Sequence, residues 1–218
     1  MNEITIVIIA HKSTKTVLSF VKKIPQKYKI IIIDNSKDYT LEKKIKKFKN
    51  IELKFMKNEG YGAGINFARK FVKTKYLFAF SPDVLGVNKI FLAKFEKTIK
   101  NKLEFGALGP RFLNVSQKSH KQSNAKNLIG AINAISGSAM LINIKSFDDI
   151  NGFDENIFLF FEENDFCKRL RKKKYKIYQI NKATVLHTKG VKKGVVKIKS
   201  ENIEKLQNFY GWHFMWSK

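Results

Sequence analysis

The chain has 218 residues, of which 44% are hydrophobic, so it is long enough for one domain with a substantial core. Its formal net charge of +25 predicts attraction to polyanions such as nucleotides, nucleic acids or an anionic membrane face. No apolar run approaches the roughly 20 residues that cross a membrane, and the one cysteine, Cys167, excludes an internal disulfide. The N-terminal residues have the pattern of a strand rather than of a signal peptide, and a single cysteine suits a reducing compartment, so we expect a cytoplasmic protein.

The first half of the chain alternates between two patterns. Runs rich in apolar residues predict strands at 4–10, 28–34, 51–56 and 76–80, and the first of them is a continuous run typical of a strand buried on both faces. Helical spacing of apolar residues follows each run, over residues 14–23, 39–48, 62–72 and 88–100. This βαβαβαβα order predicts an α/β fold in which a mostly parallel sheet is flanked by helices on both faces.

The second half is less regular. Residues 105–113 begin a fifth strand, and residues 114–130 are polar and predicted to form a loop. A long stretch with small residues in its middle follows at 131–144, and a helix is predicted at 160–175. Two short strands are predicted at 176–180 and 183–188, and an aromatic-rich amphipathic helix at 202–218.

Polar or glycine residues follow each of the first four strands. Open α/β sheets bind ligands beyond the carboxyl ends of their strands. The residues at these ends are Ala10 and His11, then Asp34, Asn35 and Ser36, then Asn58, Gly60, Gly62 and Gly64, and finally Ser81 and Asp83. Four such ends on one edge favour a ligand site over ordinary polar loops.

The glycine run NEGYGAGIN (58–66) is not a dinucleotide fingerprint, which would follow the first strand and end in glycine. No P-loop signature is present either. The glycines allow the backbone to approach an anion at a helix N-terminus, and a flexible loop has the same composition.

Six segments together carry a recognisable series of motifs. They are IIIDNSKDYT (31–40), NEGYGAGIN (58–66), FSPDV (80–84), ISGSAMLI (135–142), GFDENIFLFFEENDFCKRLRKKKYKIY (152–178) and VLHTKG (185–190). In this order they resemble the family 2 glycosyltransferases of the GT-A fold, especially rhamnosyltransferase-like members. The resemblance implies a single domain of the nucleotide-diphospho-sugar transferase fold. Its parts would be a nucleotide-binding half, an acceptor and catalytic half and a C-terminal aromatic helix, at 1–110, 111–200 and 201–218.

By this resemblance the protein would be an inverting glycosyltransferase. It would move a sugar, with a deoxyhexose such as rhamnose as the first candidate, from a nucleoside diphosphate sugar to a hydroxyl acceptor. The acceptor would be a surface glycan or its lipid-linked precursor, which places the protein in the cytoplasm at the inner face of the membrane. The donor would be bound by Ala10, His11, Asp34, Asn58, Gly60, Asn66 and Ser81. Asp34 equally suits a turn, and Asn66 a contact with a buried backbone group.

The resemblance also implies a divalent metal, Mn²⁺ or Mg²⁺, with Asp83 and His187 as ligands. Hard cations prefer carboxylate oxygens and keep phosphate and water as further ligands. Pro82-Asp83 is also a common tight-turn sequence, and a lone histidine at a strand end is often structural. Ser81 stands where the family usually has an acidic or amide residue, which reduces the number of charged ligands.

The catalytic base implied by the resemblance lies in FFEENDF (160–166). An inverting transferase needs one carboxylate that takes the proton of the acceptor hydroxyl. Glu163 is the candidate and Asp165 the reserve. Glu163 replaces the family's usual aspartate and adds a methylene. Acidic residues at a helix N-terminus are also favoured by the helix dipole, so a structural role fits the same residues.

Two other functions fit parts of the sequence. The departures at Ser81 and Glu163 are compatible with a sugar-nucleotide-binding protein that has lost turnover. The net charge alone fits a nucleic-acid-binding protein, but the chain has few arginines and no binding motif, so we expect no nucleic-acid partner. The aromatic C-terminal segment fits packing on the domain, a homodimer contact or docking on a membrane surface.

Overall fold

The computed structural model describes residues 3–101, 103–114, 121–123 and 126–188 of the chain. The predicted C-terminal helix therefore lies outside the described residues. Within the part that is described, no helix has the length and apolarity that crossing a bilayer requires.

Strands and helices alternate through the first half in the predicted order. The elements are β1 (Ile4–Ala10), α1 (Thr14–Val21), β2 (Lys29–Asp34), α2 (Tyr39–Ile45), β3 (Ile51–Phe55), α3 (Tyr61–Arg69), β4 (Tyr76–Phe80), β5 (Val84–Leu85) and α4 (Lys89–Lys100). The two-residue strand β5 is an addition to the predicted order. It follows Asp83 directly and pairs with the end of the last strand, Val84 opposite His187.

The second half contains one long strand where the sequence predicts two short ones. Its elements are β6 (Ala107–Phe112), β7 (Ile129–Ala131), β8 (Ala139–Asn143), α5 (Ile144–Asp149), α6 (Glu162–Lys172) and β9 (Ile177–His187). β9 continues through residues 181–183 because its pairing with β6 resumes after an irregularity between Pro110 and Arg111. Asn181 is tolerated inside the strand because its Nδ2 donates to the Asn127 carbonyl at 2.7 Å.

The segment predicted at 131–144 divides into the end of β7, a loop and β8. Its small residues lie in the loop, at 136–138. The loop runs beside the end of β4, because Phe80 pairs with Ala139 and the Ser81 amide donates to the Ser138 carbonyl at 3.0 Å. This part of the second half therefore meets the carboxyl edge of the first.

The strands of the described residues join in the order β3-β2-β1-β4-β8-β6-β9-β5, with β7 paired to β9. The first four strands are parallel to one another, and β6 is parallel to β9. β8 is antiparallel to both of its neighbours. The sheet is thus mostly parallel, as predicted, and the ends of β1 to β4 open on the same edge.

The core lies on both faces of this sheet. Ile6 and Ile8 point to one face, where they pack with residues of α1, α2 and α4. Val7 and Ile9 point to the other, where they pack with residues of α3 and α6. Burial on both sides explains why these strands are continuous β-branched runs rather than alternating ones.

Candidate active site

A chain of side-chain hydrogen bonds crosses the ends of the first three strands. His11 Nδ1 lies 2.8 Å from Asn35 Oδ1, and Asn35 Nδ2 donates to Asn58 Oδ1 at 2.9 Å. The backbone N–H of Asn35 donates to the Ala10 carbonyl at 3.0 Å, which ties the ends of β1 and β2 together. The chain gives this edge a continuous row of polar atoms at the surface.

Asp34 shapes the turn that follows β2. Its Oδ1 accepts from the Ser36 amide at 2.8 Å and from Ser36 Oγ at 2.6 Å, and its Oδ2 accepts from the Asp38 amide at 2.7 Å. The residue is fully buried. Asp34 is predicted to bind the sugar nucleotide, but in this conformation its carboxylate is directed into its own loop.

Gly60 immediately precedes α3 and has a conformation that favours glycine. Its φ is +105°, and a Cβ at this position would lie 2.2 Å from the Phe158 carbonyl oxygen. The next amide, of Tyr61, donates to that same oxygen at 3.1 Å. The loop around Phe158 thus rests directly on the N-terminus of α3.

We expect Gly60→Ala to lower the free energy of unfolding by roughly 2–5 kcal/mol, since it adds backbone strain and a clash at once. Urea unfolding followed by circular dichroism measures this. Gly137→Ala is the matched control, because a Cβ at Gly137 would lie 3.4 Å from the Tyr61 ring, an ordinary contact. Equal losses in the two variants would contradict the role given to Gly60.

Asn66 joins α3 to the same part of the second half. Its Nδ2 donates to the Phe153 carbonyl and to Glu155 Oε1, each at 2.9 Å, and its Oδ1 accepts from the Phe153 amide at 2.9 Å. Asn66 is predicted to bind the sugar nucleotide, and in the structure it holds the 153–155 turn in place.

Asp83 and His187 lie side by side, although they are far apart in sequence. His187 Nε2 is 3.2 Å from Asp83 Oδ1, and both side chains are partly exposed. The pairing of β5 with the end of β9 brings them together, and Thr188 Oγ1 donates to the Asp83 carbonyl at 3.0 Å. The contact also allows an ion pair when the histidine is protonated.

The chemistry of this pair fits a divalent cation. One carboxylate oxygen and one imidazole nitrogen are ligands that Mn²⁺ accepts. Adjacent ligands of an octahedral ion with bonds of about 2.1 Å stand about 3 Å apart, close to the observed spacing. Among the described residues, no group of three or more histidine, cysteine, aspartate or glutamate side chains is placed to hold a metal.

Tyr61 connects the Asp83–His187 pair with the acidic start of α6. Its hydroxyl donates to the Gly137 carbonyl at 2.6 Å and interacts with the Ser81 side chain. Burial raises the pKa of the Tyr61 phenol well above its usual range, and the charges of Glu162 and Glu163, and more weakly of Asp83, raise it further. The phenol therefore lies within electrostatic reach of both clusters.

Two strained residues lead into α6. Phe160 and Phe161 have φ values of 67° and 69°, a left-handed conformation that bulky residues rarely adopt. Such strain is concentrated at functional sites, where the surrounding structure must enforce it. Here the strained turn directs the first turn of α6, with Glu162 and Glu163, toward Tyr61 and Gly137.

Glu162 and Glu163 have different surroundings. Glu162 is buried, and among the described residues its Oε2 has no hydrogen-bond partner. Burial, and then the charge of Glu163, raise the pKa of the Glu162 carboxyl to about 8. Glu163 Oε1 lies 2.5 Å from Lys121 Nζ. The geometry thus pairs Glu163 with a cation and leaves Glu162 protonated at neutral pH.

Asp165 lies two residues after Glu163 on α6 and pairs with Arg169 instead of Lys121. Its Oδ2 accepts from Arg169 Nε at 2.7 Å. Arg169 Nη1 in turn donates to the Ile150 and Gly152 carbonyls, each at 2.7 Å. The reserve candidate for the base therefore stabilises the turn after α5.

We expect stability to fall as the pH rises, through Glu162. Its folded pKa of about 8 lies above the value of roughly 4.3 in an unfolded chain, so between these values the folded state binds a proton that the unfolded state has lost. The free energy of unfolding therefore decreases across this window and levels off above it. The slope from this one group is at most about 1.4 kcal/mol per pH unit. Glu162→Gln removes this contribution to the pH dependence. Urea unfolding of both proteins at pH 5, 7 and 9 tests this, and a constant difference between them would contradict it.

Two residues of this site lie outside the sequence-based prediction. Tyr61 occupies the aromatic position of the NEGYGAGIN motif, and that position is the one signal for it. Lys121 belongs to the polar segment predicted to be a loop, where no pattern distinguishes it from the other lysines.

Comparison with known proteins points to one class of protein. Residues 5–104 match the family described as Glycosyl transferase family 2. The low-salt glycan biosynthesis hexosyltransferase Agl10 of Haloferax volcanii is 22% identical, over 88% of this chain and 69% of that protein.

Solved structures share the fold. TarS 1-349 of S. aureus in complex with UDP-GlcNAc superposes with a TM-score of 0.68 at 16% identity, over 99% of this chain and 74% of that one. The mannosyltransferase PcManGT of Pyrobaculum calidifontis, in complex with GDP-Man and Mn2+, gives 0.66 at 12% identity, over 84% and 56%. This chain spans only 43% and 66% of the length of two further solved chains. The fold of the described residues is the GT-A glycosyltransferase fold, as the sequence predicts.

Proposed function

We propose that this chain is a family 2 glycosyltransferase that transfers a sugar from a nucleoside diphosphate sugar to a hydroxyl acceptor, with inversion at the anomeric carbon. The observation that carries the proposal is the convergence of the Asp83–His187 pair and the Glu162–Glu163 pair around Tyr61. The family match over residues 5–104 and the shared fold support it.

The donor would lie along the edge formed by the ends of β1 to β4. His11, Asn35 and Asn58 present polar atoms there for a base or ribose. Asp34 and Asn66 would act indirectly, by shaping the turns on either side.

Asp83 and His187 would hold a divalent cation, with the donor diphosphate and water as its remaining ligands. A cation in this position neutralises charge on the departing nucleoside diphosphate. The Mn2+ in the PcManGT structure supports a metal of this kind.

Glu163 would act as the base. In a single displacement, the acceptor oxygen bonds to the anomeric carbon from the face opposite the leaving group, the bond from that carbon to the diphosphate breaks, and the hydroxyl proton passes to the Glu163 carboxylate. Glu162, protonated beside it, would donate a hydrogen bond instead of competing for the proton.

The acceptor would be a cell-surface glycan or its lipid-linked precursor, and the sugar a hexose or a deoxyhexose such as rhamnose. The name of the Haloferax volcanii relative, a glycan biosynthesis hexosyltransferase, supports this class.

The test is a donor panel. Release of nucleoside diphosphate from UDP-GlcNAc, UDP-glucose, GDP-mannose and dTDP-rhamnose is measured with and without Mn²⁺, with water or a simple glycoside as acceptor. Metal-dependent release from one donor, and inverted configuration of the glycoside by NMR, support the proposal. A retained configuration overturns the mechanism, and no release from any donor overturns the function.

A further inference from the structure

Lys121 forms an unusually enclosed ion pair with the proposed base. Its Nζ lies 2.5 Å from Glu163 Oε1, and its side chain is 22% exposed. The side chain of Lys27, which pairs with Glu96 at 2.6 Å, is 53% exposed. Because an enclosed pair must give up more hydration than an exposed one, its net contribution to stability is small. Stability alone therefore does not account for Lys121.

The segment that carries Lys121 is anchored to the sheet by buried polar side chains. Gln179, which has no exposed surface, is the centre of this anchor. Its Oε1 accepts from the Ser123 amide at 2.8 Å, and its Nε2 donates to Gln122 Oε1 at 2.6 Å and to the Pro110 carbonyl at 3.0 Å. Leaving such groups unpaired costs about 1–3 kcal/mol each, so these contacts resist displacement.

Residues of β6 and β9 form further hydrogen bonds with Gln122 and Ser123. Gln122 Nε2 donates to the Phe112 carbonyl at 2.7 Å, and Ser123 Oγ lies 2.8 Å from Asn181 Oδ1. Arg111 Nη1 donates to the Ser123 carbonyl at 3.2 Å. β6 and β9 thus fix the backbone from which Lys121 extends.

We infer that Lys121 is a positioning residue, which orients the Glu163 carboxylate for proton transfer. The inference rests on the proposed function. Glutamate has one more rotatable bond than aspartate, and each free rotamer lowers the fraction of time the carboxylate spends in a productive position. An ammonium held by the anchored segment restrains one carboxylate oxygen and so fixes the plane of the group.

The experiment compares Lys121→Ala, Lys121→Arg and Lys27→Ala, with Mn²⁺ and the donor that the wild type turns over. We expect Lys121→Ala to lower kcat about 10- to 100-fold, with the donor KM unchanged within about twofold. Lys121→Arg restores kcat to within a few-fold of wild type. Lys27→Ala breaks an ion pair near the amino end of β2, away from the proposed site at the carboxyl end, and is expected to leave kcat unchanged.

A second variant tests the anchor without touching the charge. Ser123→Ala removes the hydroxyl that lies beside Asn181 and Gln179. We expect a smaller decrease in kcat, of about three- to tenfold, with unchanged donor affinity by calorimetry. This variant removes few atoms and keeps the backbone bond from Ser123 to Gln179.

The outcomes separate the inference from the function on which it rests. A wild type that is active, beside a Lys121→Ala variant with equal or higher kcat, overturns only the inference. A kcat that falls equally in the alanine and arginine variants also overturns it. A wild type that releases no nucleoside diphosphate from any donor overturns the proposed function and the inference with it.

Discussion

Replacing Glu163 by glutamine is expected to lower kcat for sugar transfer by about 10²- to 10⁴-fold, the range that a positioned general base contributes. The amide keeps the size of the side chain and removes its ability to take the proton. Donor binding should not change, because Glu163 lies on α6 and the proposed donor edge is formed by the ends of β1 to β4. Steady-state kinetics and calorimetry with the same donor separate the two effects.

The matched control is Asp165→Asn. This acid belongs to the same helix turn, but it pairs with Arg169, so we expect its replacement to reduce stability and to leave kcat within a few-fold of wild type. A kcat for Glu163→Gln within threefold of wild type, or a larger loss in Asp165→Asn, would assign the base to a different residue.

Replacing Asp83 by alanine is expected to reduce metal-dependent transfer by about 100-fold or more, since a bound cation supplies several kcal/mol of charge stabilisation. The local fold should survive, because Thr188 bonds to the Asp83 backbone carbonyl rather than to its side chain. Mn²⁺ affinity in the presence of UDP, measured by electron paramagnetic resonance, provides a readout that is independent of turnover. His187→Ala should weaken the same affinity.

Asp148→Ala is the control for this prediction. Asp148 is a more exposed aspartate that pairs with Arg69, at a site built from α3 and α5. We expect its variant to bind Mn²⁺ and turn over donor like the wild type. Unchanged Mn²⁺ affinity in Asp83→Ala would show that the Asp83–His187 contact is an ordinary ion pair.

The regular part of the fold could be predicted because its signals are local. Residues 4–9 and 30–33 are all β-branched, and this pattern is typical of strands buried on both faces. The second half gives weaker signals. β9 includes Asn181, a residue that disfavours strands, and its side chain is accommodated there by bonds to the Ser123 hydroxyl and the Asn127 carbonyl, both distant in sequence.

The candidate site divides in the same way. The Asp83–His187 contact depends on pairing between β5 and β9, which no local pattern reveals, and only the resemblance to a family suggests it. Asp34 and Asn66 show the opposite difficulty. Aspartate and asparagine serve ligands and turns equally well, and in this structure the Asp34 side chain bonds to its own loop and the Asn66 side chain to the turn at 153–155.

Lys121 shows what the sequence cannot supply. It is one of 43 lysine and arginine residues, and nothing adjacent to it in the sequence marks it. Its placement depends on buried bonds between Ser123 and Gln179, two residues that are far apart along the chain.

The most direct test of the central claim is the melting temperature of the chain with UDP, UDP-GlcNAc, GDP-mannose and dTDP-rhamnose, each with and without Mn²⁺. A ligand present at about 100 times its Kd stabilises the folded state by about 2.7 kcal/mol, which corresponds to a rise of several degrees for a chain of this size. A rise with one nucleotide that requires Mn²⁺ is the predicted result. No rise with any nucleotide at millimolar concentration would contradict the assignment of this sheet edge as a sugar-nucleotide site.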